Sequence, residues 1–143
     1  LAALSADWRI ETGKAGVVIL LPARMTRWKG HALAVFAALK LSGRDLPPWR
    51  MVFAGDEGPR TEYVAELKEL LSRHHLNDKV SLVGHCSDMP AALALADIVI
   101  APSQQAEAFG RVAAEAGAMG RPVIVSDLGA QPEVVLHEQT GLV

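Results

Sequence analysis

With a single cysteine, Cys86, among its 143 residues, the chain can form no internal disulfide, and a reduced, cytosolic compartment is the default. Charge of one sign is also scarce. Fourteen Lys and Arg stand against sixteen Asp and Glu, for a net charge of −2, and no basic run stands out. A duplex nucleic-acid binder needs a basic stripe to neutralise phosphates, so nucleic acid is not an expected partner. One small anion held by two or three cations remains open. The longest uncharged apolar stretch, Ala15 to Ala23, is too short to span a bilayer and contains Pro22. The first residues lack a basic segment followed by an apolar one, so no signal peptide is expected. His31, His85 and His137 are dispersed without zinc-ligand spacing, and His74 and His75 close a helical pattern, where positive charge suits the dipole. Neither a Walker loop nor a G-x-G-x-x-G turn is present.

What is present is a core. Half the residues are hydrophobic and 21% are charged, which suits one packed domain. Short apolar runs at Val17–Leu21, Met51–Ala54, Val80–Val83, Ile98–Ile100 and Pro122–Val125 read as strands buried on both faces, and Gly141–Val143 begins a sixth. Helical patterns lie between them at Lys29–Leu41, Thr61–His75, Met89–Ala96 and Phe109–Met119, with a turn or two at Pro132–Leu136. In the first helix the stripe is Leu33, Phe36, Ala37 and Leu41. The alternation predicts an α/β fold: a Rossmann-like, doubly wound parallel sheet of about six strands with helices on both faces. Residues 1–16 read as a lead-in from a domain not included, and 17–143 as a domain cut short at its C-terminus. In such sheets ligands bind beyond the carboxyl ends of the strands.

Two of those exits carry chemistry. After the first strand, Pro22-Ala23-Arg24-Met25-Thr26-Arg27-Trp28-Lys29-Gly30 offers three cations, and Arg24 and Lys29 suit phosphate oxygens. Arg27 is read as solvated. After the fourth strand, Glu107 and Glu115 stand eight residues apart around a helix expected to start near Ala108. The amides of Phe109, Gly110 and Arg111 would then be free to bind an anion, with Gly110 allowing close approach. Two carboxylates on either side of that anion can accept hydrogen bonds from sugar hydroxyls. The row of hydroxylated group, phosphate and hydroxylated group describes a nucleoside diphosphate sugar. The plainer alternatives are Glu107 facing the helix dipole and Glu115 as a surface acid. A run of small residues around Glu115 (Ala113, Ala114, Ala116, Gly117, Ala118) argues against the second. Asp56 and Glu57 beside Gly58-Pro59 read as turn formers, Cys86 as a pocket-lining or buried residue, and Glu133 as a cap with an unassigned ligand role.

From about Val17 to Val143 the chain resembles the C-terminal Rossmann-like domain of retaining GT-B glycosyltransferases, family 4. The likeness rests on Arg24-x4-Lys29-Gly30, Phe53-Ala54-Gly55-Asp56-Glu57-Gly58-Pro59, Val80-Ser81-Leu82-Val83-Gly84, Ala96-Asp97-Ile98-Val99-Ile100-Ala101-Pro102-Ser103, Glu107-x7-Glu115, Gly120-Arg121-Pro122-Val123-Ile124, and Glu133 with Thr140-Gly141-Leu142-Val143. The resemblance implies that Arg24 and Lys29 neutralise the departing diphosphate and that Glu107 holds hydroxyls of the transferred sugar. It implies sugar and phosphate contacts from the backbone at Ala108, Phe109, Gly110 and Arg111, ribose contacts from Glu115, and a base pocket lined by Gly84, His85 and Cys86. It further implies a UDP-, GDP- or ADP-sugar donor, no bound metal, and an N-terminal partner domain that supplies the acceptor site. The full-length protein is expected in the cytoplasm, with peripheral membrane association left open. A non-catalytic nucleotide-sugar sensor, or a GT-B epimerase or phosphorylase, are the competing readings.

Overall fold

Six parallel strands form one sheet in the order β3-β2-β1-β4-β5-β6. They are β1 (Val17–Pro22), β2 (Trp49–Ala54), β3 (Val80–Gly84), β4 (Ile98–Ala101), β5 (Val123–Val125) and β6 (Gly141–Leu142). The computed structural model describes residues 2–8, 10, 16–58 and 61–143. Residues 1, 9 and 11–15 of the expected lead-in, and Pro59 of the expected turn, lie outside the described residues.

The central strands are largely apolar because alternate side chains enter different cores. On β1, Leu20 faces one core while Ile19 and Leu21 face the other. On β2, Val52 opposes Met51 and Phe53 in the same way. The first core is closed by α1 (Ala2–Asp7), α4 (Met89–Leu95), α5 (Arg111–Ala118) and α6 (Gln131–Val134), with Trp8 buried in it. The second is closed by α2 (His31–Ser42) and α3 (Thr61–Arg73). No helix among the described residues is long and apolar enough to cross a membrane.

The doubly wound α/β sheet expected from the alternation is therefore present, with every strand within two residues of its expected bounds. Two helices differ. In α2 the residues packed on the sheet are His31, Ala34, Val35 and Ala38, whereas Leu33 and Phe36 are 48% and 47% exposed. The helix is apolar nearly all round, so periodicity could not choose a face. The small residues won because they let the helix lie close to the strands. In α5, Gly110 takes a left-handed conformation (φ 71°, ψ 46°) and the helix starts at Arg111, not near Ala108. Glu107 therefore stands four residues before the helix, and helical geometry does not relate it to Glu115.

The reversed face of α2 is testable by urea unfolding. Phe53→Ala, in the core beneath α2, should cost about 3–5 kcal/mol. Phe36→Ala, at one of the positions read as the stripe, should stay within about 0.5 kcal/mol of the parent. Equal losses would show that the helix packs on the other side.

Candidate functional site

The chain leaves β1 through a loop fastened to its neighbours. The amide of Ala23 donates to the Ala54 carbonyl at 3.0 Å and that of Met25 to the Asp56 carbonyl at 2.9 Å, with the Met25 side chain buried beneath. A single 3-10 turn (Arg27–Lys29) follows and ends at Gly30, whose φ of 82° admits few other residues. A Cβ at Gly30 would collide with the Pro102 carbonyl, so the loop lies directly against the exit of β4. The amide of Gln104 completes the contact by donating to the Trp28 carbonyl at 2.6 Å. From this loop Arg24 is exposed at the ligand edge and Lys29 turns towards Glu107. Arg27 faces elsewhere: it pairs with Glu66 at 2.6 Å, over the Tyr63 ring, in open solvent. The solvated reading of Arg27 is thus the observed one.

After β4, Ser103 is buried, and Glu107 pairs with Gly129 in an isolated parallel bridge. The Gly110 carbonyl accepts the first helical bonds, from Ala113 and Ala114, and no side chain caps α5. The amides of Gly110, Arg111 and Val112 are left without a backbone acceptor. The amide of Phe109 likewise donates to no backbone carbonyl among the described residues, so the three amides expected to be free are free and Val112 joins them. Glu115 is exposed further along the same helix, because Ala113 and Ala116 take the side that packs on the sheet.

These pieces meet in one cleft of ≈ 750 Å³. Arg24, Lys29, His85, Cys86, Glu107, Ala108, Phe109, Gly110, Arg111 and Glu115 all line it, together with Gly55, Asp56 and Met89. Of the residues assigned to the donor site from the sequence, only Gly84 does not. It ends β3 with φ 73°, and its carbonyl accepts the Gly55 amide at 2.8 Å. Glu133 is exposed on α6 and also stands outside the cleft. The cleft opens at the carboxyl ends of β1, β2, β3 and β4, where the strand order reverses between β1 and β4. Helix crossovers diverge there to opposite faces and leave a crevice. A family model described as glycosyl transferases group 1 matches residues 6–143.

The chain belongs to this family. It is 35% identical, over 98% of its length, to an exopolysaccharide phosphotransferase of Streptomyces coelicolor. It is 37% identical, over 68% of its length, to the lipopolysaccharide core biosynthesis mannosyltransferase LpsB of Rhizobium meliloti. Among solved structures it resembles a glycosyltransferase from Rickettsia africae (TM-score 0.90, 31% identity, 99% of the chain) and Anabaena HepE in complex with UDP and glucose (TM-score 0.86, 28% identity, 98% of the chain). It spans only part of each: 14% and 28% of the two relatives and 36% of each solved chain.

In this group 1 glycosyl transferase domain the electrostatic centre is Glu107. Its Oε1 accepts from Lys29 Nζ at 2.8 Å, from Gln131 Nε2 at 3.3 Å and, very closely, from the Ser103 hydroxyl. Burial pushes the carboxyl up, but these three hydrogen bonds and the Lys29 charge outweigh it and hold it below the ordinary carboxylate value. Gln131 was not singled out in the sequence, and Ser103 only as the last residue of the fourth-strand motif. What brings Gln131 to Glu107 is a backbone approach. The amide of Ala130 donates to the Glu107 carbonyl at 3.0 Å, and a Cβ at Gly129 (φ 63°) would collide with the Glu107 backbone. The sequence signal was Gly129 just before Pro132, which sits at the start of α6. Among the described residues no group of three or more His, Cys, Asp or Glu could hold a metal ion.

His31 is the other residue the sequence underrated. It lies fully buried at the start of α2, under the cation loop, edge-on to Phe53 and Tyr63. Neither ring nitrogen has a well-aligned hydrogen bond. Burial lowers its pKa to about 4, the nearby Thr26 and Ala23 backbones pull weakly the other way, and the Lys29 charge adds to the lowering. The unfolded chain takes up this proton near pH 6.5 and the folded chain does not until about 4. Stability should therefore fall as pH drops through that window, by an amount on the order of 3 kcal/mol. Denaturant unfolding at pH 7.5 and 4.5 should give a pH dependence smaller by about that amount in His31→Gln. An unchanged dependence would mean that the ring is protonated, or partnered, in the folded state.

Proposed function

We propose that this chain is the donor-binding half of a glycosyltransferase that moves a sugar from a nucleoside diphosphate sugar to an acceptor, with retention of anomeric configuration. The observation that carries the reading is the single cleft in which Arg24, Lys29, the uncapped start of α5, Glu107 and Glu115 converge. Arg24, Lys29 and the amides of Gly110, Arg111 and Val112 surround a position suited to two phosphates. As the bond from sugar to diphosphate breaks, negative charge grows on the leaving phosphate, and fixed positive groups lower the barrier. Glu107 then takes hydroxyls of the transferred sugar and Glu115 those of the ribose, while the loop at His85 and Cys86 borders the base. Cations and helix amides provide the charge that a metal provides in other transferases, so no bound metal is part of this reading.

Family 4 membership and retention are what the family resemblance implies, and the pattern Glu107-x7-Glu115 with Arg24-x4-Lys29 supports that resemblance. HepE, similar over the whole chain, was solved with UDP and with UDP-glucose, which makes uridine nucleotides the first to test. Two relatives are named for exopolysaccharide and lipopolysaccharide core, which favours a cell-envelope glycan as acceptor. Transfer needs donor and acceptor held together. The acceptor site belongs to a further domain of the whole protein, so this chain alone binds donor without transferring it.

Thermal unfolding with UDP, GDP or ADP at about a hundred times its dissociation constant should raise the melting temperature by about 5 °C or more for the preferred base. Glu115→Ala and Lys29→Ala should each remove at least about half of that shift, as expected for the loss of charged hydrogen bonds. No shift with any of the three at millimolar concentration would end the donor reading. Sugar transfer by the chain alone would overturn the claim that a further domain is needed.

A further inference from the structure

We propose that Ser103 and Gln131 are positioning residues that keep the Glu107 carboxylate charged and fixed once Lys29 turns from it to a donor's diphosphate. This rests on the donor reading of the cleft. It starts from a conflict: Lys29 is assigned to phosphate, yet its ammonium sits 2.8 Å from Glu107 Oε1. Both side chains are largely out of water, 15% and 14% exposed. Removing one partner of such a pair leaves an uncompensated charge in a poorly solvated place. A cleft that releases Lys29 to its ligand needs something else to hold Glu107.

The arrangement around Oε1 supplies it. A carboxylate oxygen has two lone-pair directions, and here three donors converge on one oxygen. With the ammonium gone, Ser103 and Gln131 match those two directions, and no other donor is required. Oε2 accepts from none of the described residues and stays free for a hydroxyl. Both remaining donors are rigidly placed: Ser103 is 2% and Gln131 1% exposed. Gln131 occupies its site at a cost, because its own Oε1 is buried without a partner. An amide that leaves its carbonyl unsatisfied is a poor core filler, and what it contributes is the donation to Glu107. A flipped amide would set oxygen against oxygen, so the donor orientation is fixed by the carboxylate.

Among the described residues, Lys29 is the only group of opposite charge in contact with this carboxylate. Arg24, Arg111, Asp56, His85 and Glu115 line the same cleft, and His31 lies buried below the loop. The test imitates the departure of the ammonium with Lys29→Met and follows the Glu107 carboxyl by carbon-13 NMR, assigned by its absence in Glu107→Gln. Adding Ser103→Ala and Gln131→Leu to Lys29→Met should raise the Glu107 titration by about one pH unit or more. Ser103→Thr, which keeps the hydroxyl, should leave it within about 0.3 unit of Lys29→Met. Equal titration of the triple variant and Lys29→Met overturns the proposal. If the triple variant is unfolded by its amide spectrum, the same comparison is made between Ser103→Ala and Ser103→Thr with Lys29 in place. A raised titration in Ser103→Ala alone supports the proposal, and identical curves overturn it. UDP binding by the parent chain is measured alongside. Its failure ends the donor reading of the cleft, whereas failure of the carboxyl shift ends this inference and leaves that reading standing.

Discussion

The pair of Lys29 and Glu107 joins the two halves of the sheet at the point where its strand order reverses. One partner comes from the loop after β1 and the other from the segment after β4. Gly30, which has no side chain, lets the first segment lie against the Pro102 carbonyl of the second. Half-buried ion pairs of this kind add little net stability, because desolvation offsets most of the attraction. Their value is geometric. A cation and an anion paired at 2.8 Å at the floor of a cleft, the cation able to turn to a ligand, mark where a ligand of mixed character, phosphate beside hydroxyl, can sit.

Around that pair the cleft gathers groups suited to an anion without a basic sequence. The chain as a whole is slightly acidic. The positive end of the cleft is built from Arg24, Lys29 and the unpaired amides at the start of α5, the last of which cost no titratable group. Gly110 is the hinge of this device. Its left-handed conformation turns the chain abruptly into α5 and leaves the helix without a capping side chain, so the amide hydrogens face the cleft. The acids Glu107 and Glu115 flank this region, and Glu107 is paired with its Lys29.

The fold was legible because the strands are short, nearly continuous apolar runs alternating with helical patterns, which suits a parallel sheet covered on both faces. The cleft was legible because strand exits in such a sheet converge by topology. What escaped was what only packing decides. The inward face of α2 could not be read, since Leu33 and Ala34 look alike to a periodicity argument. The start of α5 was placed early because the left-handed turn at Gly110 carries no pattern of its own. Gln131 was passed over in favour of Glu133, two residues on, because an acid looks functional in a sequence. The bridge between Glu107 and Gly129, separated by more than twenty residues, decides which of the two side chains reaches the site. His31 was passed over as one of several scattered histidines, and its burial depends on the Phe53 and Tyr63 rings around it.

The close approach of Gly30 to Pro102, locked by the bond from Gln104 to Trp28, makes the two loops one mechanical body. The floor of the cleft cannot widen by sliding one loop past the other. Any opening or closing over a bound molecule therefore falls to the outer rim, the loop at His85 and Cys86 and the exposed ring of Phe109, while the charged floor travels as a single rigid plate.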